Sequence, residues 1–334
     1  MWVVVGLVSA CGPWAAHAEW TEDDYFAKPT EPVHYEVAAP GGTPVDTVIG
    51  ANRMYRIHKG ETMMDIARYF SLGYNEIVEA NPGIEPWNPP AGATIILPLQ
   101  FVLPCCVYSG IVVNIPEMRL YYYERGGETL HITTYAVGLG RDDWPTPRGS
   151  FKVTAKDVNP QWNIPESIRK EHIAERNDPR TFIPGGDPDN PLGKYRLQLT
   201  LSNYRIHGTN IPWGVGMQVS HGCVRLYPED IERFYPVVPI GAPGVFTYQV
   251  AKVGNLGDDV YAEVQDDIYG IQPPSYQEAM SAATTRGLAD QLDGRQLEVA
   301  ITSSGGLAFP VTRRGGAPLD ADTEWNVVRA KYRE

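Results

Sequence analysis

The sequence predicts an α+β multidomain protein: a mostly-β central domain flanked by a small βααβ unit and a small α/β C-terminal domain. Three observations carry that prediction. From Gly110 onward apolar and polar residues alternate in short runs, the period-two pattern of half-buried strands. Residues 54 to 98 place two helical patterns between two strand-like ends, and beyond residue 250 strand and helix patterns mix again. With 334 residues there is chain for two or three cores.

In chain order, residues 1 to 18 hold a short apolar run, Trp2 to Ala10, and end Ala16-His17-Ala18 before Glu19. An apolar core followed by an A-x-A pattern reads as an export signal cut after Ala18, although the usual basic n-region is missing. The run is too short to span a bilayer. A rival reading takes Val8-Ser9-Ala10-Cys11 as a lipobox, which leaves Cys11 lipidated and the protein membrane-anchored. Residues 19 to 53 are polar, rich in Pro, Gly, Thr and Asp, and lack a sustained period. They read as a mobile linker or as an extended strand packed across another domain.

In residues 54 to 98, Tyr55-Arg56-Ile57 predicts a strand and Lys59 to Thr62 a turn and helix cap. Met64 to Phe70 and Tyr74 to Ala80 predict helices, and after Asn81-Pro82-Gly83-Ile84 the run Thr94 to Leu97 predicts a closing strand. Residues 108 to 250 predict strands at Ile111–Ile115, Arg119–Tyr123, His131–Val137, Phe151–Lys156, Leu197–Leu201 and Tyr204–His207. Pro165, Pro184, Gly185, Gly186 and Pro188 mark a long loop fit for a substrate lid. Asp230 to Pro236 predicts a short helix and Gly244 to Val250 a last strand. Residues 251 to 312 form the C-terminal domain, and residues 313 to 334 read as a polar tail.

The candidate chemistry lies in one stretch, His207-Gly208-Thr209-Asn210 through Ser220-His221-Gly222-Cys223-Val224-Arg225. A cysteine attacks as thiolate, and a free thiol with a pKa of about 8.5 needs an imidazole or oriented amides to ionise near neutrality. His207 or His221 fits that need. The amides of Gly222 and Cys223 offer an oxyanion hole, and glycine lets the backbone approach a substrate. Two histidines and a cysteine also suit zinc, but no Cys-x-x-Cys or second cluster supplies a fourth ligand. The expectation is therefore no metal and no cofactor.

At these residues the chain resembles the L,D-transpeptidases with a YkuD-type catalytic domain, especially the ErfK/YbiS subgroup. I-H-G-T-N followed by S-H-G-C-V-R-L carries the resemblance, which extends to Pro145–Phe151, Pro188–Gly193, Asp230-Ile231 and Val237–Pro243. It implies acyl transfer on peptidoglycan tetrapeptide stems: Cys223 attacks the carbonyl of the third residue, D-alanine leaves, and a thioester remains. His207 is then the general base, held in one tautomer by a backbone carbonyl, that of Gly208. The amides of His221, Gly222 and Cys223 serve as oxyanion donors, and Ser220 and Arg225 bind substrate, the arginine through a carboxylate. The implied acceptor is a diaminopimelate side chain, giving a 3-3 crosslink, or the lysine of an outer-membrane lipoprotein. Two other readings stay open: an L,D-carboxypeptidase using water, and a non-catalytic murein-binding protein. Residues 54 to 98, with Gly60-Glu61-Thr62 and Asn81-Pro82, resemble a LysM module and imply binding to glycan strands.

A net charge of −12 argues against a nucleic-acid partner, which needs a basic face. The expected location is the periplasm. Of the four cysteines, Cys105, Cys106 and Cys223 remain after signal cleavage, so at least one thiol is free. Cys105 and Cys106 read as a vicinal disulfide or a reduced pair.

Overall fold

The computed structural model describes residues 34–303 and 305–313. The expected signal segment, the candidate Cys11 anchor and all but Arg313 of the polar tail lie outside these residues. The N-terminal part holds β1 (His34–Ala38), β2 (Val48–Gly50), β3 (Arg53–Arg56), α1 (Met63–Tyr69), α2 (Tyr74–Glu79), β4 (Thr94–Leu97) and β5 (Gln100–Val102). Next come β6 (Gly110–Asn114), β7 (Arg119–Gly126), β8 (Thr129–Ala136), β9 (Leu139–Gly140) and β10 (Gly149–Val158). A short hairpin of β11 (Trp162–Asn163) and β12 (Phe182–Ile183) encloses α3 (Glu166–Arg176). The chain continues through β13 (Tyr195–Leu199), β14 (Arg205–His207), β15 (Gln218–Ser220), β16 (Val224–Arg225), α4 (Pro228–Val237) and β17 (Pro243–Thr247). The C-terminal part is β18 (Ala251–Leu256), β19 (Asp259–Val264), α5 (Tyr276–Thr285), α6 (Gly294–Ser303) and β20 (Ala308–Pro310).

The scaffold is a nine-stranded sheet in the order β1-β8-β7-β6-β17-β10-β13-β14-β16. Its β17–β6 and β14–β16 pairs are parallel and its other pairs antiparallel. Both faces of β6, β7 and β8 are largely buried, so these strands are covered on two sides where their alternation predicts half-burial. One face packs Ile111, Val113, Leu120 and Tyr122 with Ile231 and Phe234 of α4. The other packs Val112, Tyr121, Tyr123, Leu130 and Ile132 against Met63, Ile66, Ile77, Ile95 and Leu97. The βααβ unit thus shares a core with the central sheet.

Local chemistry explains the βααβ unit. Thr62 caps α1, accepting from the Asp65 amide at 3.1 Å while the Asp65 carboxylate accepts from the Thr62 amide at 3.0 Å. Buried Asn81 ties α2 to β4, donating to the Ile77 and Ile96 carbonyls at 2.8 Å and accepting from the Ile96 amide at 2.7 Å. The unit is pinned to the sheet by Arg119, whose guanidinium meets both Glu76 oxygens at 2.7 Å and stacks 4.2 Å from the Phe101 ring centre. At the opposite end Lys252, itself buried, sits 2.7 Å from both Glu117 and Glu263 and joins β18 to the central sheet.

Of the two readings of residues 19 to 53, the packed extended strand holds for residues 34–38, which pair with β8, and for residues 48–50, which pair with β5. One sequence expectation changes. The long loop marked by Pro165 and Pro188 contains α3, an 11-residue helix. Its only buried residue is Ile168, so it lacks the apolar stripe by which a helix announces itself, and flanking prolines dominate the reading. Among the described residues no helix is long and apolar enough to cross a membrane.

Removing one partner of a buried ion pair strands the other charge, whereas an exposed pair contributes little. Glu76→Ala is therefore expected to lower unfolding stability by about 3–5 kcal/mol, because it leaves Arg119 unpaired. Arg68→Ala, which removes the exposed pair with Glu229, should cost no more than about 1 kcal/mol. Urea unfolding midpoints of the two variants check this.

Candidate active site

β14 and β16 lie side by side in parallel, with Ile206 opposite Val224 and His207 opposite Arg225. Ile206 and Val224 are fully buried in the sheet's core. Alternation then turns Arg205, His207 and Arg225 to the other face, and continuing the register by one residue brings Cys223 opposite Arg205 on that face. The pairing is closed by the Leu226 amide, which donates to the His207 carbonyl at 2.9 Å. On the far side Gly138 and Arg225 exchange two backbone bonds of 2.8 and 2.9 Å.

The turn carrying the thiol is shaped by hydroxyls. Ser220 Oγ donates to the Cys223 carbonyl at 2.6 Å and accepts from the Gly222 amide at 3.1 Å. Thr146 Oγ1 donates to the Gly222 carbonyl and accepts from the Gly140 amide, each at 3.0 Å. Gly222 has φ +93°, and a Cβ there would stand 2.7 Å from Tyr204 Cε1, so a side chain is excluded twice over. The Gly222 amide is thus engaged by Ser220, and Ser220 holds the turn from both ends. The amides of His221 and Cys223 carry no hydrogen bond among the described residues.

His207 is 3% exposed. Its Nδ1 lies 2.6 Å from the Gly208 carbonyl, an acceptor only, so Nδ1 carries the hydrogen and Nε2 presents a lone pair. Burial, reinforced by the Arg225 charge, pushes the imidazole pKa down to about 3. The ring is neutral at any physiological pH. Burial pushes the Cys223 thiol up from its ordinary value of 9.0, opposed by the Arg205 amide and the charges of Arg205 and Arg225. The resting pair is thus thiol and neutral imidazole, not thiolate and imidazolium.

A cleft of about 890 Å³ adjoins this face, lined in part by Arg141, Glu171, Asn210, Trp213, His221 and Arg225. The Arg225 Nε is buried without a hydrogen-bond partner among the described residues. His221 is tied up otherwise: Nε2 lies 2.9 Å from Glu171 and 3.3 Å from Arg141, with Trp144 edge-on at 5.3 Å. Sequence reasoning missed Glu171, hidden in a helix read as loop. It also gave no role to Thr146, although Pro145-Thr146-Pro147 was visible as a motif. Cys105 and Cys106 are joined to each other, which leaves Cys223 as the free thiol among the described residues.

Alkylation follows the thiolate fraction, so a thiol held above 9 reacts slowly at neutrality and gains about tenfold per pH unit up to its pKa. Iodoacetamide labelling of Cys223 should rise continuously from pH 6 to 9. A plateau already formed below pH 7 would reveal a standing ion pair and contradict the neutral resting state.

Residues 109–246 match the L,D-transpeptidase catalytic domain family YkuD. The chain is 36% identical over 239 residues to the probable L,D-transpeptidase YbiS of Escherichia coli K12, covering 70% of this chain and 76% of that protein. It is 36% identical over 201 residues to the probable L,D-transpeptidase ErfK/SrfK of Salmonella typhimurium, covering 60% of this chain and 62% of the other. A solved L,D-transpeptidase from Mycobacterium smegmatis matches 47% of this chain and 63% of its own, at 21% identity and a TM-score of 0.32. Identity of that level across most of the Escherichia coli protein places the chain in the YkuD-type L,D-transpeptidase family, with ErfK and YbiS among its homologues.

Proposed function

We propose that the protein is a cysteine-dependent L,D-transpeptidase of the periplasm that acts on peptidoglycan tetrapeptide stems. The observation that supports it most is the neutral, buried His207, its Nδ1 committed to Gly208, on the same sheet face as the free thiol of Cys223. The Nε2 lone pair takes the thiol proton as sulfur attacks the carbonyl of the third stem residue. The Sγ–C bond forms, the peptide C–N bond breaks, and His207 returns the proton to the amine of departing D-alanine. The amides of His221 and Cys223 receive the negative charge on the carbonyl oxygen, and Gly222 contributes the turn that aims them. Arg225 meets a stem carboxylate.

An amine then resolves the thioester. A diaminopimelate side chain gives a 3-3 crosslink, a lipoprotein lysine gives anchorage, and water gives carboxypeptidase action. The βααβ unit acts as a LysM module and holds the enzyme on glycan strands.

Incubation with a tetrapeptide muropeptide and mass analysis of the products tests the reading. Wild type should release D-alanine and form an acyl-transfer product; release without transfer would make it a carboxypeptidase, and no release would refute the activity. Cys223→Ala should release none, while Cys105→Ala and Cys106→Ala remain active. A carbapenem should leave one adduct on wild type and none on Cys223→Ala, and His207→Ala should slow adduct formation by about 10²–10⁴.

Because the βααβ unit shares its core with the sheet, its binding is tested in the whole chain. The full-length Cys223→Ala protein should sediment with purified sacculi and with sacculi stripped of stem peptides. Retention lost on stripping would place binding in the catalytic cleft and remove the glycan role.

A further inference from the structure

Glu171, in the middle of α3, joins that helix to the turn that carries the thiol. Its Oε2 lies 2.9 Å from His221 Nε2 and its Oε1 3.3 Å from Arg141 Nη2. A carboxylate only accepts, and at 2.9 Å it lies nearer to Nε2 than the Arg141 guanidinium at 3.3 Å, so the Glu171 contact favours the hydrogen on His221 Nε2 and leaves Nδ1 to take a proton. That is the opposite tautomer to His207, whose Nδ1–H is given to Gly208. The two imidazoles also differ in place. His207 is buried, whereas His221 and Glu171 stand in the wall of the cleft.

Acyl transfer to an amine has a proton problem that the buried histidine does not solve alone. An alkylamine with a pKa of about 10 arrives as an ammonium ion, which has no lone pair to attack with. It must lose one proton before attack and a second as the amide forms. A carboxylate holding an imidazole in one tautomer is the arrangement that makes an efficient base.

We propose that Glu171 and His221 form a second base unit that deprotonates the incoming amine acceptor, with His221 the base and Glu171 its positioning residue. The inference rests on the acyl-transfer reading above. The ammonium gives its first proton to His221 Nδ1, which passes it to solvent. The freed nitrogen attacks the thioester carbonyl, the N–C bond forms and the C–S bond breaks. His207 takes the second nitrogen proton and delivers it to the departing Cys223 sulfur, restoring the thiol. The titratable groups beside the dyad are Arg141, paired with Asp143 at 3.1 Å, and His172 on α3, which interacts electrostatically with both members. Burial and the nearby Arg176 charge hold His172 toward its neutral form.

The test separates the half-reactions in wild type and Glu171→Gln, an isosteric change of a partly exposed residue. Quenched-flow mixing with a tetrapeptide donor and a stem peptide bearing a free diaminopimelate amine reads the D-alanine burst and the amide product separately. The variant's burst should stay within about threefold of wild type, while its amide formation at pH 7 falls about 10²-fold and hydrolysis takes a larger share. Raising the pH toward about 10 deprotonates the amine without help and should close most of that gap. Glu171→Asp should recover part of the transfer rate. Burst and transfer falling together, or a deficit that persists at high pH, would reduce Glu171 to a lid contact and overturn the proposal. Unchanged transfer would overturn it too. A wild-type burst with no amide product would refute this inference alone, whereas no wild-type burst would refute the acyl-transfer reading with it.

Discussion

The parallel pairing of β14 with β16 is the constraint on which the site depends. Two short strands hold little by themselves, yet their register alone decides that His207 and Cys223 share a face. A slip of one residue would turn one of them into the core. The register is held by Ile206 and Val224, buried on the inner face, and by the backbone bonds to Leu226 and Gly138 on either side of the pair. Each apolar residue that stabilises the sheet here therefore also sets the aim of a candidate site residue on the reverse face.

The βααβ unit is part of the same construction. The Tyr74 amide donates to the Val215 carbonyl and the Asn75 amide to the Gly216 carbonyl, both at 3.2 Å. Val215 and Gly216 belong to the loop that connects the His207 strand to the Cys223 turn. Backbone meets backbone there so closely that a Cβ on Gly73 would stand 2.8 Å from the Gly216 Cα. With the Arg119–Glu76 pair fixing α2 to β7 just beneath, the N-terminal unit braces the loop from outside. A unit that only tethered the enzyme would require no such contact.

What the sequence makes legible divides along the same physical line. Strand alternation and the Thr62 cap are local, so the central strands and both helices of the βααβ unit can be read from residue order. The residue types of the site are also legible, because a cysteine flanked by histidines and glycines has few uses. The partners are not. That the Gly222 amide bonds Ser220 Oγ, that Glu171 reaches His221 from a helix 50 positions upstream, and that Glu76 finds Arg119 are facts of tertiary packing. For the N-terminal stretch the sequence left linker and packed strand open for a related reason: the partners that decide it are strands 50 or more positions away.

The electrostatics of the pair carry one more consequence. A standing thiolate is the form that oxidants attack, and its nucleophilicity falls as its pKa falls. Here burial raises the thiol and lowers the imidazole, so both rest in the neutral form. An enzyme of the proposed kind works in an oxidising compartment, where a neutral resting thiol survives longer. The cost is that attack must begin with proton transfer against an unfavourable pKa difference. In the proposed reaction that transfer becomes favourable when negative charge moves on to a carbonyl oxygen facing free backbone amides, and the amides of His221 and Cys223 have no hydrogen-bond partner among the described residues. In the proposed reaction reactivity is therefore conditional on substrate, through burial of the same two side chains that the β14–β16 register places together.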